Sequence, residues 1–295
     1  MANVNIQELL DNGVHFGHLT RKWNPNMAPY IYTERNGVHI IDLYKTAAKI
    51  EETSEALKKI ANSGRKILFV ATKKQAKDIV AEKAKAISMP YITERWPGGM
   101  LTNFVTIRKA VKKMAIIDRM KTDGSFDALS KREKLQINRQ REKLEKNLGS
   151  ISDMTRLPGA LFVVDIKKEH IAVAEAQKLN IPIFAMVDTN SDPRQVDYVI
   201  PANDDASKSI NVVLSFVTDA IADGLSERKA DKEKVKEAPK KEEAKVEAPK
   251  AEVAAPLVEE AKVETPAEEE APKAKAPKKA KKKAEVAETP AEQKK

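Results

Sequence analysis

The chain has 295 residues, contains no cysteine and carries a formal net charge of +9. Without cysteine it cannot form disulfides, iron–sulfur clusters or thiolate zinc sites, and it cannot use a cysteine nucleophile. Acidic residues in the first turns, Glu8 and Asp11, argue against a secretory signal peptide. The longest apolar runs, such as residues 67–71, are too short to cross a bilayer, so we predict no membrane segment.

The composition changes abruptly near Ser226. Residues 226–295 contain no Phe, Trp, Tyr or Gly, and their 19 bases and 17 acids make them highly charged but nearly neutral. Such a segment cannot bury enough apolar surface to offset the entropy lost on ordering. We therefore predict a folded domain over residues 1–225 and a disordered tail over 226–295.

Apolar spacing and turn residues predict the elements of the first hundred residues. Residues 14–36, interrupted by Gly17, Pro25 and Pro29, are predicted to be irregular. The regular elements around them are a short helix over 5–11, a strand over 38–43, a helix over 46–61, a strand over 66–71, a helix over 74–87 and a short strand over 91–92.

After an interruption, the alternation of strands and helices resumes. The predicted elements are a strand over 160–165, a helix over 168–179, strands over 182–187 and 198–200, and a long helix capped by residues 203–205 and closed by Gly224. Alternating strands and helices indicate a parallel sheet covered on both faces. We expect an open, doubly wound α/β sheet of about five strands.

Two amphipathic segments interrupt this pattern between residues 104 and 151. Asp123 and Gly124 supply a turn between them. Together they predict an αα-hairpin or short antiparallel coiled coil that projects from the sheet domain. The apolar positions of the two helices are Phe104, Ile107, Val111 and Met114, and then Ile137, Leu144, Leu148 and Ile151.

This inserted segment carries most of the positive charge. Residues 108–146 contain thirteen bases and six acids, a net charge of +7, which equals the net charge of residues 1–225. Concentrated positive charge favours a polyanion such as RNA, although an ordinary solvated helix pair is the alternative. The candidate RNA-binding residues here are Arg108, Lys109, Lys112, Lys113, Lys131, Arg132, Arg139 and Arg141.

Three loops add candidate RNA contacts. Arg21 and Lys22 precede Trp23, a mixture that suits phosphate pairing and base stacking, unless Trp23 only covers the core. Lys73 and Lys74 follow a strand and open a helix, where phosphates bind; a solvated helix start capped by Thr72 is the alternative. Arg95 is a further candidate, whereas its neighbour Trp96 is expected to pack inside.

Metal and catalytic sites are not expected. His15 and His18 are three residues apart, but the flanking glycines disfavour a helix, so a structural role is preferred over a metal site. The acids of segment 188–193 could bind magnesium or act in catalysis, yet that segment has the composition of a turn. The chain has no glycine-rich nucleotide motif, so we predict no catalytic residue, no cofactor and no small-molecule substrate.

Several motifs in one order resemble one family, the bacterial small-subunit ribosomal protein S2. The resemblance covers residues 1–225, although Pro97 and Ala202 depart from the usual pattern, in which Leu and Gly stand at those positions. The matching segments are GVHFGH (13–18), RKWNP (21–25), RNGVHIIDL (35–43), ILFVATKKQ (67–75), RWPGGMLTN (95–103), LFVVD (161–165), DTNSDP (188–193) and IPANDDA (200–206).

The resemblance implies a flavodoxin-like domain with an inserted coiled-coil hairpin and a structural, non-enzymatic role. It also implies a cytoplasmic, ribosome-bound protein that contacts 16S ribosomal RNA and neighbouring ribosomal proteins, and helps to dock the mRNA-binding protein S1. Reversing Lys112, Lys113, Arg139 and Arg141 to Glu should then impair incorporation into the subunit. Two other classes remain: a flavodoxin-like enzyme using strand ends near Thr72 and Asp188, or a free nucleic-acid-binding protein with a basic tail.

Overall fold

The structure is a computed structural model that describes residues 4–243, with side chains described for residues 4–231. The described strands are β1 (Phe16–Leu19), β2 (Ile31–Arg35), β3 (Val38–Ile41), β4 (Ile67–Val70), β5 (Tyr91–Ile92), β6 (Ala160–Val164), β7 (Ile183–Val187) and β8 (Tyr198–Pro201). The described α-helices are α1 (Ile6–Asp11), α2 (Leu43–Ser63), α3 (Lys74–Ala86), α4 (Phe104–Thr122), α5 (Lys131–Leu148), α6 (His170–Lys178) and α7 (Ser207–Glu243).

Five strands form the predicted parallel sheet, in the order β5-β4-β6-β7-β8. Phe69, Phe162 and Phe184 lie side by side in the register of the three central strands. Strands β4, β6 and β7 are buried along their whole length, which explains why their sequences are continuously apolar rather than alternating. The prediction of about five parallel strands is confirmed.

Alternate side chains of the sheet enter two separate cores. Ile67 and Phe69 of β4 belong to a core that includes residues of α2, α3 and α7. Leu68 and Val70 belong to the other core, which includes α6 and the roots of α4 and α5. Both faces of the sheet are therefore covered, as predicted.

A second, three-stranded antiparallel sheet, in the order β1-β3-β2, occupies much of the region predicted to be irregular. That prediction was wrong for β1 and β2. Asn36 and Gly37 join β2 to β3 with φ angles of +52° and +73°, values that suit a tight hairpin. The local glycines and prolines therefore mark turns and short 3-10 segments between strands, not a region without strands.

The helices α4 and α5 pack against each other at the predicted position. Helix α4 ends at Thr122, beside the predicted Asp123–Gly124 turn, but the connection continues to Ser130. Ser130 and Glu133 form a capping box that starts α5. The inward side chains at the roots of the two helices, among them Ile107, join the second core.

Helix α7 does not stop at Gly224, so this predicted end was wrong. A Cβ atom at Gly224 would lie 2.6 Å from the carbonyl oxygen of Lys58 in α2. Glycine is present because two helices approach closely, not because a helix ends there. Residues 226–243 of the predicted tail are thus helical, and residues 244–295 lie outside the described part.

Residues Ser207–Asp231 have the length and apolarity of a membrane span. However, half of the apolar 18-residue window within them is buried inside the fold, as in the core helix of a soluble protein.

Candidate nucleic-acid interface

The outward face of α4 carries positive charge without negative charge. The helical repeat turns the apolar residues toward α5 and the sheet and turns the bases outward. Asp118, the one acid of α4, lies on the inward side, where it pairs with Arg141 of α5. Val105 and Ile116 are also exposed on the outward face, by 68% and 58%. The exposed bases of α4 are Arg108, Lys109, Lys112, Lys113, Arg119 and Lys121.

Helix α5 is more mixed in charge. Glu133 is used in the capping box, and Glu145 pairs with Arg141 within the helix. Glu142 is exposed among the bases, so this helix presents both signs to solvent. The exposed bases of α5 are Lys131, Arg132, Arg139, Lys143 and Lys146.

Arg141 occupies a different place from the other predicted RNA contacts. Its guanidinium is only partly exposed and pairs with Asp118 across the hairpin and with Glu145 one turn along α5. Hydrogen bonding to Asp118, helped by Glu145, raises the pKa of Arg141 above its usual value. A phosphate would have to compete with two carboxylates, so its position fits a link between the two helices better than an RNA contact.

Most of the RNA contacts predicted in the loops are accessible to solvent. Arg21, Lys22, Lys74 and Arg95 are all exposed. Trp23 fits both predicted roles, core packing and base stacking. Its ring lies 5.0 Å from that of His39, and 39% of its surface is still accessible. The expectation that Trp96 packs inside is confirmed: it is 6% exposed.

Lys73 is partly buried and paired with three carboxylates, unlike the solvent-facing phosphate contact that we expected. Its ammonium lies 2.7 Å from Asp204, 2.6 Å from Asp205 and 3.6 Å from Asp165. Burial opposes its positive charge, but the carboxylates outweigh that effect and raise the pKa of Lys73 to about 12. Thr72 is not the helix cap either, because its hydroxyl donates to Glu169.

The same network continues through a histidine from the small sheet. The Nδ1 atom of His18 lies 2.8 Å from Asp188, and its Nε2 atom lies 3.3 Å from Asp205. The hydrogen bond to Asp188 raises the pKa of His18. Asp204 is fully buried, and burial together with Asp188 and Asp165 raises its pKa to about 7, against the opposing effect of Lys73.

These side chains form a charged cluster in which Asp188 and Asp204 are buried and His18, Lys73 and Asp205 are partly or fully accessible. One nitrogen of His18 and carboxylate oxygens of Asp188 and Asp204 lie within 4.8 Å of one another, a donor set that could hold a divalent cation. His15 does not take part, since its ring packs against Phe16 at 4.0 Å. Sequence reasoning missed the cluster, although Asp188 and Asp204 both follow the ends of neighbouring parallel strands.

Comparison with known proteins identifies the class to which this fold belongs. The family model described as Ribosomal protein S2 matches residues 9–224. The chain belongs to the ribosomal protein S2 family. The predicted structural, non-enzymatic role in the small ribosomal subunit is confirmed, and a cytoplasmic, ribosome-bound location follows from it. The enzyme alternative was wrong.

Curated relatives named small ribosomal subunit protein uS2 cover most of the chain. The relative from Flavobacterium johnsoniae is 75% identical over 86% of this chain and 98% of its own length. The relative from Flavobacterium psychrophilum is 79% identical over 79% of this chain and 88% of its own length. The relative from Parabacteroides distasonis is 67% identical over 82% of this chain and 88% of its own length.

Proposed function

We propose that this S2 protein binds small-subunit ribosomal RNA chiefly through the outward face of α4. The observation that carries this proposal is a helix face with five exposed bases, Arg108, Lys109, Lys112, Lys113 and Arg119, and no exposed acid. Exposed cations that neutralise phosphates release counterions, and such contacts position a protein without reading base sequence. Val105 and Ile116 add apolar surface that can lie against sugars between the phosphates.

Loops of the sheet domain and the bases of α5 complete the proposed RNA-binding set. Lys73 leaves the predicted set because it is partly buried and paired with carboxylates, and Arg141 is assigned to the α4–α5 contact. Every remaining member is exposed. These residues are Arg21, Lys22, Trp23, Lys74, Arg95, Arg108, Lys109, Lys112, Lys113, Lys131, Arg132 and Arg139.

Reversing three lysines of α4 tests this proposal. Lys109, Lys112 and Lys113 are exposed and make no ion pair within the described part of the chain. Changing all three to Glu should weaken binding to small subunits washed free of this protein by on the order of 100-fold at moderate salt. The dependence of binding on salt should also become shallower, which binding assays at several salt concentrations would measure.

The matched control changes Lys167, Lys178 and Lys208 to Glu, three exposed lysines of the sheet domain. This variant has the same net charge as the α4 variant. Nearly unchanged binding is expected for it. If the two variants lost equal affinity, or if the α4 variant bound normally, the α4 face would not be the RNA contact.

We further propose a flavodoxin-like topology with a coiled-coil insertion over residues 104–151. The strand order β5-β4-β6-β7-β8 supports the first part, because the parallel strands taken in chain order are arranged 2-1-3-4-5. The inward apolar positions of α4 and α5 support the second part. We also propose that the folded domain extends beyond residue 225, and the continuation of α7 across that boundary supports this.

Docking of the protein S1, which the family resemblance implies, is proposed for the small antiparallel sheet. Leu19 of β1 is 42% exposed and Tyr32 of β2 is 75% exposed, and Phe16 is exposed as well. Large apolar side chains grouped on a surface are typical of a protein-binding site.

Changing Leu19 and Tyr32 together to Ser should reduce the S1 that sediments with variant ribosomes by severalfold, while the variant itself stays ribosome-bound. Leu179→Ser removes an exposed leucine elsewhere and should have no effect. Undiminished S1 on ribosomes carrying the double variant would show that S1 docks on another surface.

A further inference from the structure

A buried carboxylate joins α6 to the segment that leads into α4. Glu175 is 7% exposed. Its Oε1 atom accepts hydrogen bonds from the indole of Trp96 at 3.1 Å and the backbone N–H of Gly99 at 2.8 Å. Its Oε2 atom accepts from the backbone N–H groups of Leu101 at 2.9 Å and Thr102 at 3.1 Å, and from the Thr102 hydroxyl at 3.2 Å.

The negative charge of Glu175 is held by these donors alone, since no Lys, Arg or His of the described residues forms an ion pair with it. Burial raises the pKa of a carboxyl group, but here the donors outweigh burial and the pKa of Glu175 is lowered. Hydrogen bonds to an ionised acceptor are about twice as strong as neutral ones. The carboxylate therefore holds the segment 96–102 in a turn whose N–H groups point toward it.

This segment ends where the hairpin begins. Asn103 follows Thr102, and α4 starts at Phe104. At the end of the hairpin the Ser150 hydroxyl donates a partly buried hydrogen bond to the Tyr91 carbonyl of β5. The other polar links between the hairpin root and the sheet domain include a hydrogen bond from Arg108 to the Thr155 carbonyl and an ion pair of Lys146 with Glu94 at 3.6 Å, both of which are accessible to water. Solvent-exposed links of this kind contribute little to rigidity.

We propose that Glu175 is a positioning residue that fixes the direction of the α4–α5 hairpin relative to the parallel sheet. It does so through the segment 96–102, without touching RNA. Basic side chains on the hairpin and on the loops of the sheet domain can then contact one RNA surface at the same time. A fixed direction keeps the effective concentration of the second contact high once the first has formed.

Distance measurement between two spin labels tests the geometry without RNA. The chain has no cysteine, so Ser125→Cys at the hairpin tip and Glu51→Cys on α2 give two exposed labelling sites in an otherwise native background. Adding Glu175→Gln replaces one acceptor oxygen by an NH2 group that faces N–H donors. The distribution of label distances should broaden or shift, while the circular dichroism of the folded domain is retained.

Binding to small subunits washed free of the protein supplies a second readout, which rests on the proposed RNA contact. Glu175→Gln removes a negative charge, so electrostatics alone would strengthen binding to RNA. Loss of hairpin position should instead weaken it by on the order of tenfold. Glu82→Gln, an exposed site on α3, makes the same charge change and should leave binding equal or slightly tighter.

Milder variants cover the case in which Glu175→Gln does not fold. Trp96→Phe with Thr102→Val removes two side-chain donors, keeps the carboxylate and its backbone partners, and should change the distances in the same direction. A label-distance distribution identical to that of the parent in every folded variant would overturn the positioning role. Changed distances with unchanged RNA binding would keep the positioning role and instead contradict the RNA contact of the hairpin.

Discussion

Replacing Lys73 with Met is expected to lower the free energy of unfolding by about 3 to 5 kcal/mol. Met fills the space of the lysine stem but leaves Asp204 and Asp165, both buried, without their cation. An unpaired buried charge is far costlier than the pair that it replaces. Denaturant titration of the full chain at pH 8, followed by circular dichroism, would measure the loss.

The adjacent residue is the control. Lys74 is exposed, and Lys74→Met should change the stability by less than about 0.5 kcal/mol. Equal losses at the two positions would contradict the ion-pair network, because the two substitutions are chemically the same.

The loss at Lys73 should also depend on pH. Asp204 in the folded protein has a pKa of about 7, above its usual value. The free energy of unfolding therefore falls as the pH rises through about 7 and Asp204 loses its proton. Removing the ammonium removes an effect that lowers this pKa, which raises it further. The deficit of Lys73→Met should therefore shrink between pH 8 and pH 5.5, whereas a loss of packing alone would be the same at both values.

Replacing Gly224 with Ala is expected to lower the free energy of unfolding by about 1 to 3 kcal/mol. Helix propensity alone would predict a gain of up to about 1 kcal/mol, because Gly224 lies inside α7. The added Cβ atom, however, would meet the backbone carbonyl of Lys58 at 2.6 Å, and a backbone atom cannot rotate away. The two helices would have to separate, which opens the core between them.

Gly149→Ala is the matched control for this substitution. Gly149 has a helical φ of −58°, and its added Cβ atom would make an ordinary contact at 3.5 Å with Glu145. This variant should be neutral or more stable by up to about 1 kcal/mol. Thermal or denaturant unfolding of both variants would measure these changes in stability. A stabilised Gly224→Ala protein would show that α2 and α7 are not in close backbone contact at this position.

The charge pattern of the hairpin predicted a surface, but not which members of the pattern lie on it. All the α4 bases named from the sequence are exposed, because a helix with one apolar stripe must turn its charged residues outward. Arg141 has the same local signature and yet pairs with Asp118, 23 residues earlier in the chain. The helical repeat alone does not show which acid on the opposite helix a base will meet.

Local periodicity determined the alternation of strands and helices and the position of the hairpin, because apolar spacing is set by the repeat of each element. The residue types of Asp123 and Gly124 located the start of the connection between α4 and α5. It did not reveal the antiparallel sheet of β1, β3 and β2, whose short strands have few alternating residues.

Only the tertiary structure decided the roles of Lys73, Glu175 and Gly224. Lys73 meets Asp204, 131 residues later in the chain, and Glu175 meets Thr102 from 73 residues away. Gly224 carries the local signature of a helix end, yet it is required by the carbonyl of Lys58. In each case the deciding partner is distant in sequence, and a residue's local pattern contains no information about a neighbour that folding alone brings near.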